Sequence, residues 1–127
     1  MRIQTACILL LAACATSSTT DRSQAYPVLS VGSVLAGAAP IGAVVRVQGR
    51  CLGYGSPSPA EPPPRTRSDW QFAGDSTTIY VEGTFPSGCD AMTGSLRIDT
   101  IQARVVIDTL RWPGRAPTTR LYLERVR

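Results

Sequence analysis

The chain contains neither histidine nor lysine, so all 13 of its basic residues are arginine. Without histidine, Ser-His-Asp triads, Cys-His dyads and most zinc sites are excluded. Without lysine, Ser-Lys dyads, Schiff-base chemistry and Walker-type phosphate loops are excluded too. The sequence also has no Cys-x-x-Cys motif, which argues against a disulfide oxidoreductase. We therefore predict a protein that is not an enzyme and that uses neither a metal nor a cofactor.

Carboxylates offer one remaining route to catalysis. Asp99 and Asp108 could form a paired-carboxylate site, but both lie in one predicted strand together with Arg97 and Arg104. Surface ion pairs explain carboxylates among arginines better than general acid–base chemistry does. We therefore expect both carboxylates to be paired with arginine.

The N-terminus lacks an apolar run long enough to span a bilayer. The run at residues 6–13 is far shorter than the ~20 residues that a transmembrane helix needs. With Arg2 before this run and small residues at its end, segment 1–13 has the layout of an export signal. Leu11-Ala12-Ala13-Cys14 resembles the lipobox of bacterial lipoproteins, which implies a lipid anchor on Cys14. An ordinary cleaved signal with a chance cysteine is the alternative.

A lipid anchor implies a location in the cell envelope, at the outer membrane facing the periplasm if the cell is Gram-negative. Segment 14–25 is polar and lacks apolar periodicity. We predict that it is a flexible tether with a reach of about 20 Å. The remaining residues, 26–127, are enough for a single domain. We therefore expect one compact unit held at a membrane surface.

The chain has four cysteines. Cys7 leaves with the signal and Cys14 is taken by the lipid, so Cys51 and Cys89 are the only thiols left in an oxidising compartment. We expect a disulfide between them, and closing a loop of this length would stabilise the fold by about 4 kcal/mol. Two unpaired buried thiols are the alternative.

Apolar patterning predicts an all-β domain with one short N-terminal helix. Val31, Val34 and Leu35 follow Ser30 at helical spacing, which favours one or two helical turns with a serine cap. Segment 43–52 alternates between apolar and polar residues and places Cys51 on the inward side of a strand. Further strands are predicted at 70–72, 77–84, 95–110 and 121–124, with irregular connections at 53–68 and 111–117.

The longest predicted strand contains two inward phases. Leu96 and Ile98 share one phase, whereas the other is shared by Ile101, Val105 and Ile107. Because side chains alternate strictly along a strand, both sets can face the core only if the strand contains an irregularity. We therefore expect a bulge or sharp bend near Thr100.

Five strands with one long bent member favour a small Greek-key barrel of the OB type. The segment 31–35, followed by Gly42-x-x-Val45-x-Val47-x-Gly49, resembles the start of small secreted OB-fold proteins. In those proteins a short helix precedes a glycine and the first barrel strand. The resemblance covers this stretch specifically and the rest of the domain only by strand order. A lipocalin-like barrel or a β-sandwich with the same number of strands is the alternative.

An OB-like barrel binds ligands between two loops, one joining its strands 1 and 2 and one joining its strands 4 and 5. Both loops of this chain combine aromatic and arginine side chains, which stack on sugars or bases and bind phosphate or carboxylate groups. The candidate ligand-binding residues are Tyr54, Arg65, Arg67, Trp70, Arg111, Trp112 and Arg115. In the alternative, structural interpretation, Trp70 belongs to the core, Trp112 packs on the barrel end and the arginines are solvated.

The net charge and the expected location of the domain restrict the classes of partner that it can bind. Removal of Arg2 with the signal lowers the formal net charge from +4 to +3, and this weak charge is interleaved with acidic residues, so no nucleic-acid partner is expected. We expect a non-catalytic envelope lipoprotein that binds a protein partner or an envelope glycan, as an accessory subunit of an envelope assembly. The alternative is an inhibitor or immunity lipoprotein directed against a secreted enzyme or toxin.

Overall fold

The computed structural model describes residues 27–54, 64–74 and 76–127. The predicted signal 1–13, the predicted lipidation site Cys14 and the predicted tether 14–25 lie outside these residues. The described residues form one helix and six strands: β1 (Val28–Ser30), α1 (Val31–Leu35), β2 (Val44–Gly53), β3 (Trp70–Ala73), β4 (Thr78–Glu82), β5 (Ile98–Leu110) and β6 (Thr118–Arg125). No helix in this part of the chain is long and apolar enough to cross a membrane.

Five strands close into a barrel in the order β2-β3-β4-β6-β5, because β5 pairs back onto β2. Neighbouring barrel strands are antiparallel except β4 and β6, which are parallel. The short β1 is an additional strand that pairs with β2 in parallel. The prediction of a small OB-like barrel preceded by one short helix is confirmed.

Helix α1 packs a two-residue apolar stripe into the barrel core. The Ser30 hydroxyl oxygen accepts a hydrogen bond from the Ser33 backbone N–H at 3.1 Å, which is the usual role of an N-cap serine. Val31 and Val34 are fully buried. A helix this short is stable only through such packing, because isolated helices of a few residues do not form in water.

Apolar residues that alternate along the strands fill the barrel. In β2 the residues Val45, Val47 and Cys51 are buried and the arginines between them are exposed, so the predicted phase of this strand is confirmed. Gly49 lies on the same inward side, and a Cβ there would come within 2.9 Å of the Phe72 ring. The largest buried side chains of the other strands are Trp70, Phe72, Ile101 and Leu123.

The predicted change of phase near Thr100 is wrong. β5 pairs with β2 without a register shift along their shared length. Ile101 faces the core, so strict alternation turns Ile98 outward, where its side chain is exposed. Leu96, also expected to face inward, precedes the strand and is 92% exposed. The irregularity lies instead near the end of β2, where the register with β3 shifts at 51–53.

The last part of β5 extends beyond the closed barrel. Its pairing with β2 ends at Arg104, whereas its pairing with β6 continues to Leu110. Alternation along β5 turns Ile107 to the same side as the core residues Ile101 and Val105, but β2 no longer pairs with β5 at this position. Its side chain is therefore 46% exposed instead of buried as expected. The two-stranded extension carries the connection 111–117.

A disulfide joins Cys51 to Cys89, with their Cα atoms 6.1 Å apart, which confirms the predicted pairing. It attaches the connection between β4 and β5, residues 83–97, to the end of β2. The backbone N–H of Ser95 also donates to the Cys51 carbonyl at 2.8 Å. In the same connection, the Phe85 ring lies 5.3 Å from the Trp70 ring, measured between centroids. This connection is therefore held against the barrel by covalent, polar and aromatic contacts.

Candidate functional site

The connection between β2 and β3, residues 54–69, is called the first loop; its residues 55–63 lie outside the described part of the chain. Its last residues form a tight turn around Asp69, which is only 3% exposed. The Asp69 carboxylate accepts hydrogen bonds from the Thr66 backbone N–H at 2.9 Å and from the Thr66 hydroxyl at 2.7 Å. These local bonds satisfy a buried charge and fix the direction in which the chain enters β3.

Arg65 attaches the first loop to the outer side of the barrel. Its guanidinium forms an ion pair with Glu82 at the end of β4 and lies 4.2 Å from the centroid of the Tyr122 ring on β6. Tyr122 points away from the core and is nevertheless buried. Burial raises the pKa of the Tyr122 phenol, and the positive charge of Arg65 partly opposes this shift. Arg65 therefore holds the described end of the first loop, residues 64–69, against the outer side of β4 and β6.

A second arginine and tyrosine pair lies on the same side of the barrel. The Arg120 guanidinium is 5.1 Å from the centroid of the Tyr80 ring and 3.2 Å from the Asp108 carboxylate. Both members of this ion pair are largely buried. Arginine thus stands over a tyrosine at two neighbouring places, in the geometry of a cation–π contact.

The two candidate carboxylates are both paired with arginine, as predicted from the sequence. The Asp99 carboxylate lies 3.2 Å from the Arg97 guanidinium, and Asp108 pairs with Arg120. Arg104, an expected partner, donates instead to the Gly42 carbonyl at 3.1 Å.

The second loop, residues 111–117, meets the first loop at a cavity of about 260 Å³, which we call the loop junction. The residues that line it are Pro64, Arg65, Asp108, Thr109, Leu110, Arg111 and Trp112. Trp112 is 44% exposed, so part of its indole ring is accessible. Arg115 lies in the turn that follows, where its backbone N–H donates to the Trp112 carbonyl at 3.2 Å.

A second cavity, of about 280 Å³, lies on the other side of Pro64, and we call it the Gln71 cavity. Its lining consists of Tyr54, Pro64, Arg67, Asp69, Gln71 and Tyr80. The Tyr54 ring is positioned by an edge-on contact with Phe85, with centroids 5.2 Å apart. Pro64 lines both cavities, so they are neighbours.

Trp70 does not belong to either cavity lining, and its candidate binding role does not fit its position. It is fully buried, its indole N–H donates to the Gly83 carbonyl at 2.9 Å, and its ring packs edge-on against Phe72. A ring without accessible surface cannot stack on a ligand. Trp70 is a core residue, as the alternative interpretation of the sequence predicts.

Five of the seven candidate residues therefore line one of the two cavities: Tyr54, Arg65, Arg67, Arg111 and Trp112. The sequence analysis did not propose Asp69, Gln71, Tyr80 or Tyr122 as site residues. A usable signal exists for Gln71 and Tyr80. Each lies between two inward apolar residues, so alternation alone predicts that both face outward and, since β3 pairs with β4, lie side by side.

Two larger clefts, of about 470 and 490 Å³, lie on the barrel wall, and Tyr80 lines the smaller of them as well as the Gln71 cavity. Neither lining includes a residue of the first or second loop. Among the described residues, no group of three or more His, Cys, Asp or Glu side chains could hold a metal ion. Comparison of the chain with protein-family models, curated proteins and solved structures found no match.

Proposed function

We propose that the chain is a non-catalytic binding protein of the cell envelope, anchored by acyl chains on Cys14. It recognises a protein partner or an envelope glycan through the surface formed by the first and second loops, as an accessory subunit of an envelope assembly. The anchor rests on the lipobox-like sequence that ends at Cys14. The binding surface rests on the geometry of the two loops.

The loop junction is the observation that carries the binding role. It brings Arg65, Arg111 and Trp112 to one cavity although they come from loops far apart in sequence. A partly exposed indole beside guanidinium groups offers stacking, hydrogen bonds and apolar contact within one small area. Tryptophan and arginine are also the residues most enriched among those that dominate binding energy at interfaces.

The polar groups of this surface support binding more than catalysis. The carboxylate of Asp108, which lines the loop junction, is held in an ion pair with Arg120. Asp69 accepts two hydrogen bonds from its own loop. Carboxylates held in this way orient the groups of their own domain, whereas a general acid or base must be within hydrogen-bond reach of the substrate proton that it transfers.

Substitution of Trp112 by alanine tests the binding surface. We expect the variant to lose less than about 1 kcal/mol of unfolding free energy, because a half-exposed loop residue contributes little to the core. We expect it also to lose the partners that the wild-type full chain captures after cross-linking in membranes. Leu96→Ala, which truncates an exposed apolar side chain away from both loops, is the control. An unchanged set of captured partners, or a severe loss of stability, would contradict the proposal.

Substitution of Cys14 by serine tests the anchor. The wild-type chain should fractionate with membranes, and the variant should be released or remain unprocessed because it cannot be acylated. Cys7→Ser changes a cysteine in the predicted signal and should leave both processing and membrane association intact. If Cys14→Ser has the wild-type mass and remains in the membrane fraction, the anchor proposal is wrong.

A further inference from the structure

One side of the barrel combines three arginines with no acidic residue. It consists of the outward side chains that β2 and β5 carry along their shared length, and we call it the arginine face: Val44, Arg46, Gln48, Arg50, Ile98, Thr100, Gln102 and Arg104. Its three arginines are exposed. The acidic residue of the same stretch, Asp99, is partly buried and points to the other side of the strand. The folded domain therefore separates charges that are neighbours in the sequence.

The arginines of this face are not neutralised by carboxylates. The ion pairs of the described residues join other arginines to Glu82, Asp99 and Asp108. Arg104 donates to a backbone carbonyl, which carries no net charge. Glu124 of β6 lies beside Arg104 in the strand register and is the acidic neighbour of the face. Three arginines beside one glutamate leave a positive surface, which attracts anionic partners.

Exposed apolar side chains accompany the arginines. Ile98 is 62% exposed and pairs in register with Arg50. Val28 is 43% exposed and pairs in register with Arg46. Because residues in register point to the same side of a sheet, each apolar side chain lies beside an arginine. Basic and apolar side chains together are typical of protein surfaces that bind at the headgroup level of a membrane.

The proposed anchor joins the barrel at an edge of this face. β1 pairs with β2 from Val28 to Ser30, so the described chain begins beside Arg46. The 13 residues between Cys14 and Val28 give a root-mean-square reach of about 20 Å if they behave as a flexible coil. The face itself measures about 13 Å from Arg46 to Arg50. An anchor on Cys14 therefore keeps the whole face within reach of the lipid surface.

We propose that the arginine face docks on the anionic headgroups of the membrane that holds the anchor. The planar guanidinium group of arginine binds phosphate, and each arginine close to an anionic surface strengthens binding by a factor of about five. A second copy of the chain fits this face poorly, because the contact would bring arginine against arginine. This inference rests on the proposed anchor and goes beyond it by assigning the orientation of the domain.

Docking by the arginine face leaves the first loop accessible. Around the five-stranded barrel, β2 and β5 are neighbours and β4 lies opposite their junction. Arg65 holds the described end of the first loop against β4 and β6. The docked domain therefore turns this end of the loop away from the lipid surface, where a partner can reach it.

Arginine-specific labelling of the anchored full chain tests this orientation. The chain is reconstituted in vesicles of phosphatidylcholine, with or without an equal part of phosphatidylglycerol, and treated with phenylglyoxal before peptide mass spectrometry. We expect Arg46, Arg50 and Arg104 to react at least about fivefold more slowly in the anionic vesicles. High salt should reduce this protection. Arg67, exposed on the first loop, is the internal reference and should react equally in both vesicles.

Substitution on the face separates docking from a structural effect. Arg46→Gln combined with Arg50→Gln should abolish the protection of Arg104, because the one remaining arginine lies beside Glu124. Both substituted positions are exposed, so the double variant should unfold at the wild-type temperature. Arg67→Gln removes a positive charge from the first loop and is the control, which should leave the protection of the arginine face intact.

Three results would overturn the inference. They are equal labelling of the arginine face in the two kinds of vesicle, equal slowing of Arg67, and protection of Arg104 that survives the double substitution. Failure of the anchor is distinguishable, because the mass of the purified chain reports acylation. An acylated chain with equal labelling would retain the anchor and reject docking. A chain without acyl groups, protected only by phosphatidylglycerol, would reject the anchor and retain docking.

Discussion

The inner and outer sides of β3 are stabilised in different ways. On the inner side, Trp70 and Phe72 pack against each other and against the rest of the apolar core. On the outer side, Gln71 is also buried, but it lies among polar and aromatic groups. One short strand thus separates an apolar core from a buried polar cavity.

The two sides differ in the kind of contact that satisfies their buried groups. Apolar contacts are satisfied by close packing, and the domain supplies them from its strands, from α1 and from connecting segments that contribute Ala39 and Phe85. Buried polar groups need individual partners. The outer side satisfies some of them, such as Asp69 and Asp108, and leaves Gln71 Oε1 without one among the described residues. The inner side is completed by packing, whereas the outer side retains an unpaired acceptor among the described residues.

Substitution of the two tryptophans is expected to give the largest difference in unfolding free energy. Trp70→Ala removes a fully buried ring and leaves the Gly83 carbonyl without its donor. We expect it to lower the unfolding free energy by about 3–5 kcal/mol, the usual cost of truncating a buried aromatic residue. Urea denaturation of Trp70→Ala and Trp112→Ala, measured side by side, checks this. Equal losses in the two variants would show that the second loop belongs to the core.

Removal of the disulfide is expected to give the next largest loss of unfolding free energy, also on the inner side. Replacing both Cys51 and Cys89 by alanine should lower the unfolding free energy by about 2–4 kcal/mol, because the unfolded chain gains freedom. The connection 83–97 should also exchange its amide hydrogens faster, since the bridge ties it to β2. The two loops should keep their wild-type exchange rates.

Alkylation of the wild-type chain provides the matching control. Under non-reducing, denaturing conditions Cys51 and Cys89 should both resist alkylation, and both should react after reduction. Alkylation of both cysteines without reductant would show that no disulfide stabilises the inner side. The double variant would then be expected to differ from the wild type only by packing.

The inner side is largely predictable from the sequence. Alternation in β2 correctly predicts that Cys51 faces inward. The number of cysteines, with the expectation of an oxidising compartment, correctly predicts its partner Cys89. The failure in β5 has a clear cause. Leu96 and Ile98 are apolar and fit the strand pattern, but an apolar residue has no obligation to be buried. Only the pairing register with β2 decides which parity faces the core.

The outer side is less predictable because its burial depends on a loop. Alternation places Gln71 and Tyr122 outside the barrel, and nothing in their neighbours in sequence indicates that both are buried. Described residues near the end of the first loop form their surroundings, with Arg65 over Tyr122 and Arg67 on the same cavity lining as Gln71. Contacts between residues distant in sequence, such as Arg65 with Glu82 and with Tyr122, place them there, and no local pattern records these contacts.

Substitution of Arg65 is expected to change the unfolding free energy least, and its effect should be confined to the outer side. Arg65→Met keeps most of the side-chain stem but removes both the ion pair with Glu82 and the guanidinium over Tyr122. Because these contacts are partly exposed to solvent, we expect a loss of only about 0.5–1 kcal/mol in unfolding free energy. The loss should shrink at high salt, which screens exposed ion pairs.

Amide hydrogen exchange shows where that small loss acts. In Arg65→Met, the amides of residues 64–69 should exchange faster, while those of the barrel strands β2 and β5 keep their wild-type rates, because local opening does not require global unfolding. Arg46→Met, at an exposed position of β2, is the matched control and should change neither region. Uniformly faster exchange throughout the barrel in Arg65→Met would mean that the first loop and the core open together. The distinction between an inner side completed by folding and an outer side attached by one loop would then be wrong.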